Sequence, residues 1–591
     1  MSVDLFKRRA VFVFTVTLFA LNAPAQIRLH SLFTSHMVLQ RDREITLYGW
    51  AGKGEGVTVS LSGTSRSATA DDNGTWRIGM PSMPAGGPHS ITVKGTNTIV
   101  LEDVLIGDVF LTSGQSNMRW PLNDAGDTIP TNTAIRIFNN RSAPHLIKQE
   151  DFPGVWEVAQ AGDAAHYFSI VSYYFARYLQ PQINIPVGIL VAPQGGSHID
   201  NWLDRETFVK ADGNAEPILA IVDRETAAKG AAWDQWYNDM VDFNTRTYNG
   251  QTGLVEPVEP ALEPCHYKMK GSYPMRCFNS YLYPCRNFPI KAMLWYQGEY
   301  NAGEFGSPTY HNYYNQLSGL IGMVRNLWND SQLPFLIVQL PGRGSGERSA
   351  AHDWRSSYAP LRMHQLNVNW SVPHTALVTT IDSGGDLHPP LSHKIPIGYR
   401  LSLAARSLIY DEKIVSSGPQ VDRVYVENGR VKVRFSDVGG GLKSLGGQQI
   451  RSVSLGFTDI SQRNDPTLYF SKTATIEDAA TMSVVIDTSV LPDFVSYAYT
   501  NFPVVDIYNT EEIPASPFLF PVPFDRKGMV VKNKTVVYSG QHRAGVKVRA
   551  DVNNSISYDL MGRKAGVVEK EANAAIKGVL IGNGRKVLNY K

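Results

Sequence analysis

The residues best suited to chemistry fall in four short clusters. Ser113-Gly114-Gln115-Ser116-Asn117-Met118 follows an apolar run that ends at Thr112, and a small-residue turn closing a buried strand is a place where an exposed nucleophile can be presented. A serine hydroxyl attacks poorly unless a base removes its proton, so Ser116 needs a histidine from elsewhere in the chain. His388 offers one, in Gly384-Gly385-Asp386-Leu387-His388-Pro389-Pro390, with Asp386 two positions before it to orient the imidazole and stabilise its charged form. Acyl transfer also needs hydrogen-bond donors where the oxyanion forms. Gln194-Gly195-Gly196-Ser197 can bring backbone N–H groups close to a ligand, and Gln297, in Trp295-Tyr296-Gln297-Gly298-Glu299, can offer its side-chain amide. Singly, each cluster is better explained as a turn or a loop anchor. Together, each follows its own predicted strand, and ligands collect at the carboxyl ends of strands in α/β sheets.

The elements that must position these clusters divide the chain. Residues 26–103 alternate in β fashion, as in Glu44-Ile45-Thr46-Leu47-Tyr48 and Val57-Thr58-Val59-Ser60-Leu61, with turn signals at Asp72-Asn73-Gly74 and Ala85-Gly86-Gly87-Pro88, which predicts a small β-sandwich. From 104 to 410 apolar strands alternate with longer helical patterns, the texture of an α/β domain with a largely parallel sheet. Strands are predicted at 104–111, 187–191, 290–295, 335–339 and 376–381, and helices at 167–179, 310–328 and 358–367. Residues 204–284 interrupt that rhythm, beginning helix-like and ending rich in Tyr, Pro and Cys, as an insertion that shapes a substrate cleft. A second β-sandwich is predicted over 411–524, signalled by the Asn428-Gly429 hairpin. A Val-, Lys- and Gly-rich tail, 525–591, follows.

At 591 residues the chain exceeds what one hydrophobic core usually supports. Its 56 basic and 54 acidic side chains, a net charge of +2, create no global field for nucleic acid or an anionic membrane. The amino terminus reads as an export signal: Lys7, Arg8 and Arg9, an apolar run from Ala10 to Leu21, then Ala23-Pro24-Ala25, with cleavage expected after Ala25. No stretch reaches the roughly 20 uninterrupted apolar residues of a membrane span. Cys265, Cys277 and Cys285 are the only cysteines and lack matching zinc ligands, so a structural bridge or buried thiols are expected before a metal site.

Taken in order, the four clusters resemble the blocks of the SGNH hydrolase superfamily, and within it the sialate O-acetylesterase-like carbohydrate esterases. Gly114-Gln115-Ser116-Asn117-Met118 resembles the nucleophile block, Gly195-Gly196 the glycine block, Trp295 to Glu299 the third block and Asp386-Leu387-His388-Pro389 the histidine block. Leu32-Phe33, His36-Met37-Val38-Leu39-Gln40-Arg41 and Pro514-Ala515-Ser516-Pro517-Phe518 resemble the family's opening and closing stretches, so the likeness spans 26–523. It implies a three-layer α/β hydrolase domain with a parallel sheet, flanked by β-sandwiches. It also implies Ser116 as nucleophile, His388 as base, Asp386 as its acid, and oxyanion donors at Ser116 N–H, Gly195 or Gly196 N–H and the Gln297 amide. No metal or organic cofactor is implied. Asn117 and Glu299 stand as supporting residues, and Glu299 is also an alternative to Asp386 as the acid. Asp108 and Asp382 read as structural. Tyr300 and Gln194 depart from the family's usual small and aromatic residues, and Pro390-Leu391-Ser392-His393 from its basic and polar run, which bears on substrate more than on reaction.

The sequence thus predicts a secreted, periplasmic or cell-surface serine esterase acting on O-acetylated glycans, either sialate or xylan in type. Two rivals share the same features: a non-catalytic glycan-binding protein and a carbohydrate O-acetyltransferase. In the tail, Ser557 to Lys564 with Gly578-Val579-Leu580-Ile581 and Gly584-Arg585-Lys586-Val587 resembles the sorting domain of type IX secretion cargo, which implies that machinery as a partner; one more small β-module explains it equally.

Overall fold

The computed structural model describes residues 26–122, 129–160, 167–213, 215–263, 273–303, 310–385, 393–445, 449–458 and 467–532, and in the tail 535–538, 555–558, 564–568, 579–582 and 585–588. The segment predicted as an export signal, Cys265, Asp386 and His388 lie outside the described residues.

The amino-terminal strands are β1 (Arg28–Leu29), β2 (Val38–Gln40), β3 (Ile45–Trp50), β4 (Gly56–Leu61), β5 (Thr64–Thr69), β6 (Thr75–Met80) and β7 (Gly86–Lys94). β1, β3 and β6 form one sheet, while β4, β5 and β7 join a second. Alternation decides which side chains meet: Val57 and Val59 of β4, Leu47 of β3 and Ile78 of β6 point inward and are buried. β8 (Thr98–Gly114) then runs unbroken from this module into the central, largely parallel sheet, so the expected boundary at 103/104 falls inside one strand. Asp108, wholly buried at that crossing, accepts hydrogen bonds from Gln40, Arg41 and the Tyr410 hydroxyl, the structural role predicted for it.

Beyond β8 come a single helical turn α1 (Ser116–Arg119), β9 (Asn132–Asn140), β10 (Gly154–Ala159), α2 (Ile170–Ile183) and β11 (Val187–Pro193). The insertion is largely helical, with α3 (Arg205–Ala211) and the long α4 (Ala215–Tyr248). Next are β12 (Ala292–Tyr296), α5 (Tyr313–Leu327), β13 (Phe335–Val338), α6 (Tyr358–Ser371), β14 (Thr375–Val378) and α7 (Ile395–Ile409). The strands lie in the order β10-β9-β11-β8-β12-β13-β14, and all neighbours are parallel except the edge pair β9 and β10. Such strands are buried on both faces, which is why they read as continuous apolar runs. The molecule is therefore mixed α/β, with α2 packed on α7 and α5 on α6.

The carboxyl-terminal strands are β15 (Gln420–Glu427), β16 (Arg430–Ser436), β17 (Leu442–Ser444), β18 (Ile450–Thr458), β19 (Thr467–Asp478), β20 (Thr481–Val485), β21 (Phe494–Tyr497), β22 (Ile507–Asn509), β23 (Phe518–Pro521) and β24 (Phe524–Asp525). Where two facing sheets were expected, eight of these form one antiparallel sheet, β23-β21-β18-β19-β20-β16-β15-β24, alongside the pair β17-β22. Register shifts at Val421/Arg423, Ile450/Val453 and Ile476/Asp478 bend it until β15 lies against β23, which nearly closes it. In the tail, β25 (Met529–Lys532), β26 (Thr535–Tyr538), β27 (Ser555–Tyr558) and β28 (Lys564–Val568) form a four-stranded antiparallel sheet, with a hairpin of β29 (Val579–Gly582) and β30 (Arg585–Leu588). Among the described residues no helix is long and apolar enough to cross a membrane.

Candidate active site

Register brings the loops together. Gly114, at the end of β8, pairs with Pro193 of β11 on one side and Tyr296 of β12 on the other, so three clusters leave the sheet at one edge. The chain turns sharply there: Gly114 has φ +132°, and a Cβ at this position would lie 2.0 Å from the Tyr296 carbonyl oxygen. Only glycine fits. Gln115, buried and extended, donates its N–H to Tyr296 O at 2.9 Å, and its Oε1 accepts from Gly298 N at 3.2 Å. Ser116 then opens α1, which is held to α2 by Ser169, the residue that caps α2 and donates to Met118 O at 2.6 Å.

Across from Ser116 stands the glycine loop. A Cβ on Gly195 would sit 3.8 Å from the Ser116 Cβ, while Gly196, with φ +71°, faces the Tyr300 hydroxyl. The backbone N–H groups of Ser116, Gly195 and Gly196 donate to no acceptor among the described residues. Backbone N–H groups without an acceptor are the kind of donor that an oxyanion requires.

Gln297 is wholly buried and already committed. Its Nε2 donates to Ser197 O at 3.0 Å and to Asn301 Oδ1 at 2.8 Å, and its Oε1 accepts from the Tyr313 hydroxyl at 3.0 Å. Both amide hydrogens are thus spent on joining the third loop to the glycine loop, the anchoring role that competes with oxyanion donation. Glu299 is buried as well, and Asn117 Nδ2 donates to its Oε1 at 2.5 Å. Burial pushes the Glu299 carboxyl up, against the pull of Asn117 and of the Lys394 charge. Lys394 Nζ in turn donates to Asn117 Oδ1 at 2.6 Å. Sequence reasoning missed Lys394, because a lysine at a helix start carries no chemical signal of its own.

The fourth cluster is described up to Gly385. Gly385 N donates to Gly342 O at 3.0 Å and its carbonyl accepts from Gly344 N at 3.1 Å, so the loop after β14 is pinned to the loop after β13. Asp382 forms a two-point pair with Arg400, with both contacts at 2.7 Å, a structural use. The His393 imidazole is half-buried and depressed, first by desolvation and then by the Arg348 charge, and faces Gly385.

A cavity of about 440 Å³ adjoins the glycine loop, lined by Gly195, Gly196, Gln194, Tyr300 and Arg119 and by Trp236 and Phe243 of α4. The two family departures, Gln194 and Tyr300, therefore do line a cleft, and the insertion supplies its far wall. Cys277 and Cys285 are buried and unbridged, with burial pushing both thiols up. Among the described residues no cluster of His, Cys, Asp and Glu could hold a metal.

With this geometry, the comparisons with known proteins agree on one chemistry. The carbohydrate esterase family of sialic acid-specific acetylesterases matches residues 276–405, a stretch that carries Gln297, Glu299, His388 and Lys394. The sialate O-acetylesterase of Mus musculus is 26% identical over 449 residues, 66% of this chain and 75% of that protein. Its Homo sapiens counterpart is 25% identical over 446 residues, 67% of this chain and 74% of that protein. Among solved structures, a carbohydrate acetylesterase from Xanthomonas citri superposes with a TM-score of 0.65 at 27% identity, covering 83% of this chain and 99% of that one. Site and likeness together define a carboxylic ester hydrolase. Within that class, the chain is similar to the sialate O-acetylesterase-like carbohydrate esterases.

Proposed function

We propose that this protein is an exported serine esterase that hydrolyses O-acetyl esters of carbohydrates through an acetyl-serine intermediate. The observation that carries this reading is the placement of Ser116 opposite Gly195, with the backbone N–H groups of Ser116, Gly195 and Gly196 lacking a described acceptor. Ser116 Oγ attacks the acetyl carbonyl carbon as its proton passes to His388, and the oxyanion is held by the N–H groups of Ser116 and of Gly195 or Gly196. Collapse breaks the ester bond, with His388 returning the proton to the departing sugar oxygen. Water, deprotonated by the same imidazole, then releases acetate and restores Ser116. Asp386 orients His388, and Glu299 braces the Ser116 turn through Asn117. Gln297 joins the oxyanion contacts only by giving up Ser197 O or Asn301 Oδ1; otherwise it holds the two loops in register.

The leaving sugar occupies the cavity between the glycine loop and α4. Export follows the amino-terminal signal, placing the enzyme in the periplasm, at the cell surface or outside the cell, and the tail is the segment that secretion machinery would read. Acetate release measured over a panel of O-acetylated sialosides and acetylated xylan tests the substrate class. Turnover of one class, abolished in Ser116→Ala, is expected; no release from any acetylated sugar by the folded enzyme would overturn the reading.

A further inference from the structure

Lys394 is 1% exposed, and its ammonium reaches a residue 277 positions away in the chain, the Asn117 that follows the nucleophile. The Asn117 amide is oriented between two opposite charges: its carbonyl accepts from Lys394 and its N–H donates to the Glu299 carboxylate. The other Glu299 oxygen, Oε2, is buried with no hydrogen-bond partner among the described residues, so the carboxylate depends on this bridge for compensation at its side chain. The Trp120 ring lies 5.5 Å from the ammonium and shields it from water. Lys394 also stands at the cap position immediately before α7 and lies six residues after His388 in the chain. One buried ammonium thus ties the start of α7 to the nucleophile turn and, through Asn117 and by charge, to Glu299 in the loop after β12.

Building on the esterase reading, we infer that Lys394 is a positioning residue of this site: its charged ammonium, acting through Asn117 and Glu299, holds the Ser116 turn in the attacking geometry. A buried cation is retained at such a cost when the alternative is a second buried charge left unpaired. The groups that face it are Glu299 from the loop after β12, His393 beside it and, acting on Glu299, Arg343 from the loop after β13. Burial pushes the Lys394 ammonium down to about 8, and the Glu299 carboxylate opposes that shift. The proton is thus lost just above neutral pH, and the Asn117 amide then loses its charged donor.

The test uses the full chain and an aryl acetate. Lys394→Met is expected to lower kcat by up to about 10²-fold, the scale of a small misplacement of reacting groups, with little change in KM. Wild-type kcat should fall as pH rises through about 8, and Lys394→Arg, which keeps its charge, should move that alkaline limb upward. Glu299→Gln removes the charge that holds the proton on Lys394, so its limb should move to lower pH; this variant decides the matter if Lys394→Met does not fold. An alkaline limb unmoved in both Lys394→Arg and Glu299→Gln would overturn the inference, as would wild-type kcat in folded Lys394→Met. Ser116→Ala separates the two readings. If it retains turnover the esterase mechanism fails, whereas an inert Ser116→Ala beside a fully active Lys394→Met rejects the role of Lys394 alone.

Discussion

Gly114 and Gly195 flank the same serine, yet they are glycine for different reasons. At Gly114 the backbone has φ +132° and a Cβ would meet the Tyr296 carbonyl at 2.0 Å, so Gly114→Ala must open the sheet edge or twist the turn. Such strain costs about 1–3 kcal/mol before the clash is counted, and the variant should show both a lower melting temperature and lost turnover. Gly195 does not have a positive φ, and a Cβ there makes ordinary contact with Ser116 at 3.8 Å. Gly195→Ala should therefore melt within about 0.5 kcal/mol of the parent while losing turnover, because its methyl intrudes on the acyl site. Equal loss of stability in the two variants, by chemical denaturation, would contradict this distinction. Ser116, Gly195 and Gly196 were legible in the sequence because small residues after an apolar run are a local signal. Lys394 was not, since its role depends on a partner 277 residues away and on burial that its own neighbours do not announce. Gln297 was legible as a polar group at the right place, but not the direction of its amide, which Ser197, Asn301 and Tyr313 decide.

The helices matter to this site through close contact. Gly398 of α7 lies so near α2 that a Cβ would sit 2.7 Å from the Tyr174 Cβ and 2.8 Å from the Phe175 amide nitrogen. Gly398→Ala should push α7 away from α2, costing about 1–3 kcal/mol by overpacking and shifting Lys394 one turn upstream. A denaturation midpoint equal to the parent would show that the interface is looser than the structure requires. The parallel strands were legible because burial on both faces leaves unbroken apolar runs, and 187–191, 290–295 and 335–339 match β11, β12 and β13 within a few residues. The two-sheet form expected at the carboxyl-terminal end was not obtained. Bulges that coil one sheet depend on pairing register, which alternation along a single strand does not carry. Helix α4, 34 residues long, was legible only as a helical beginning within an insertion.

The whole molecule is tied together by groups that burial keeps neutral or that backbone carbonyls surround. Arg362, wholly buried in α6, donates to Leu340 O, Pro341 O, Thr500 O and Asn501 O, joining the loop after β13 to the carboxyl-terminal sheet. His352 stacks between Tyr469 and Tyr499, with ring centroids 3.6 and 4.7 Å away, in the same junction. Burial pushes His352 and His364 down to about 3, and His30, in the amino-terminal module, down to about 4. The unfolded chain takes up protons at these histidines near pH 6.5 while the folded one does not, so stability is full above that pH and falls as the solution is acidified toward the folded values. Each such histidine costs about 2 kcal/mol at pH 5. Calorimetry should show a melting temperature that drops between pH 7 and pH 5, and less so in His364→Leu, whose parent ring nitrogens have no partner among the described residues. A melting temperature independent of pH over that range would contradict the assignment.

The central claim concerns Ser116, in the turn that follows β8, and trapping the intermediate tests it most directly. The enzyme, mixed with an excess of an aryl acetate, quenched in acid within the first turnovers and digested, should carry one acetyl group on the peptide that contains Ser116. The same peptide from Ser116→Ala should carry none, and that variant should release no acetate. An acetyl group found on another residue, or turnover that survives in Ser116→Ala, would contradict the account.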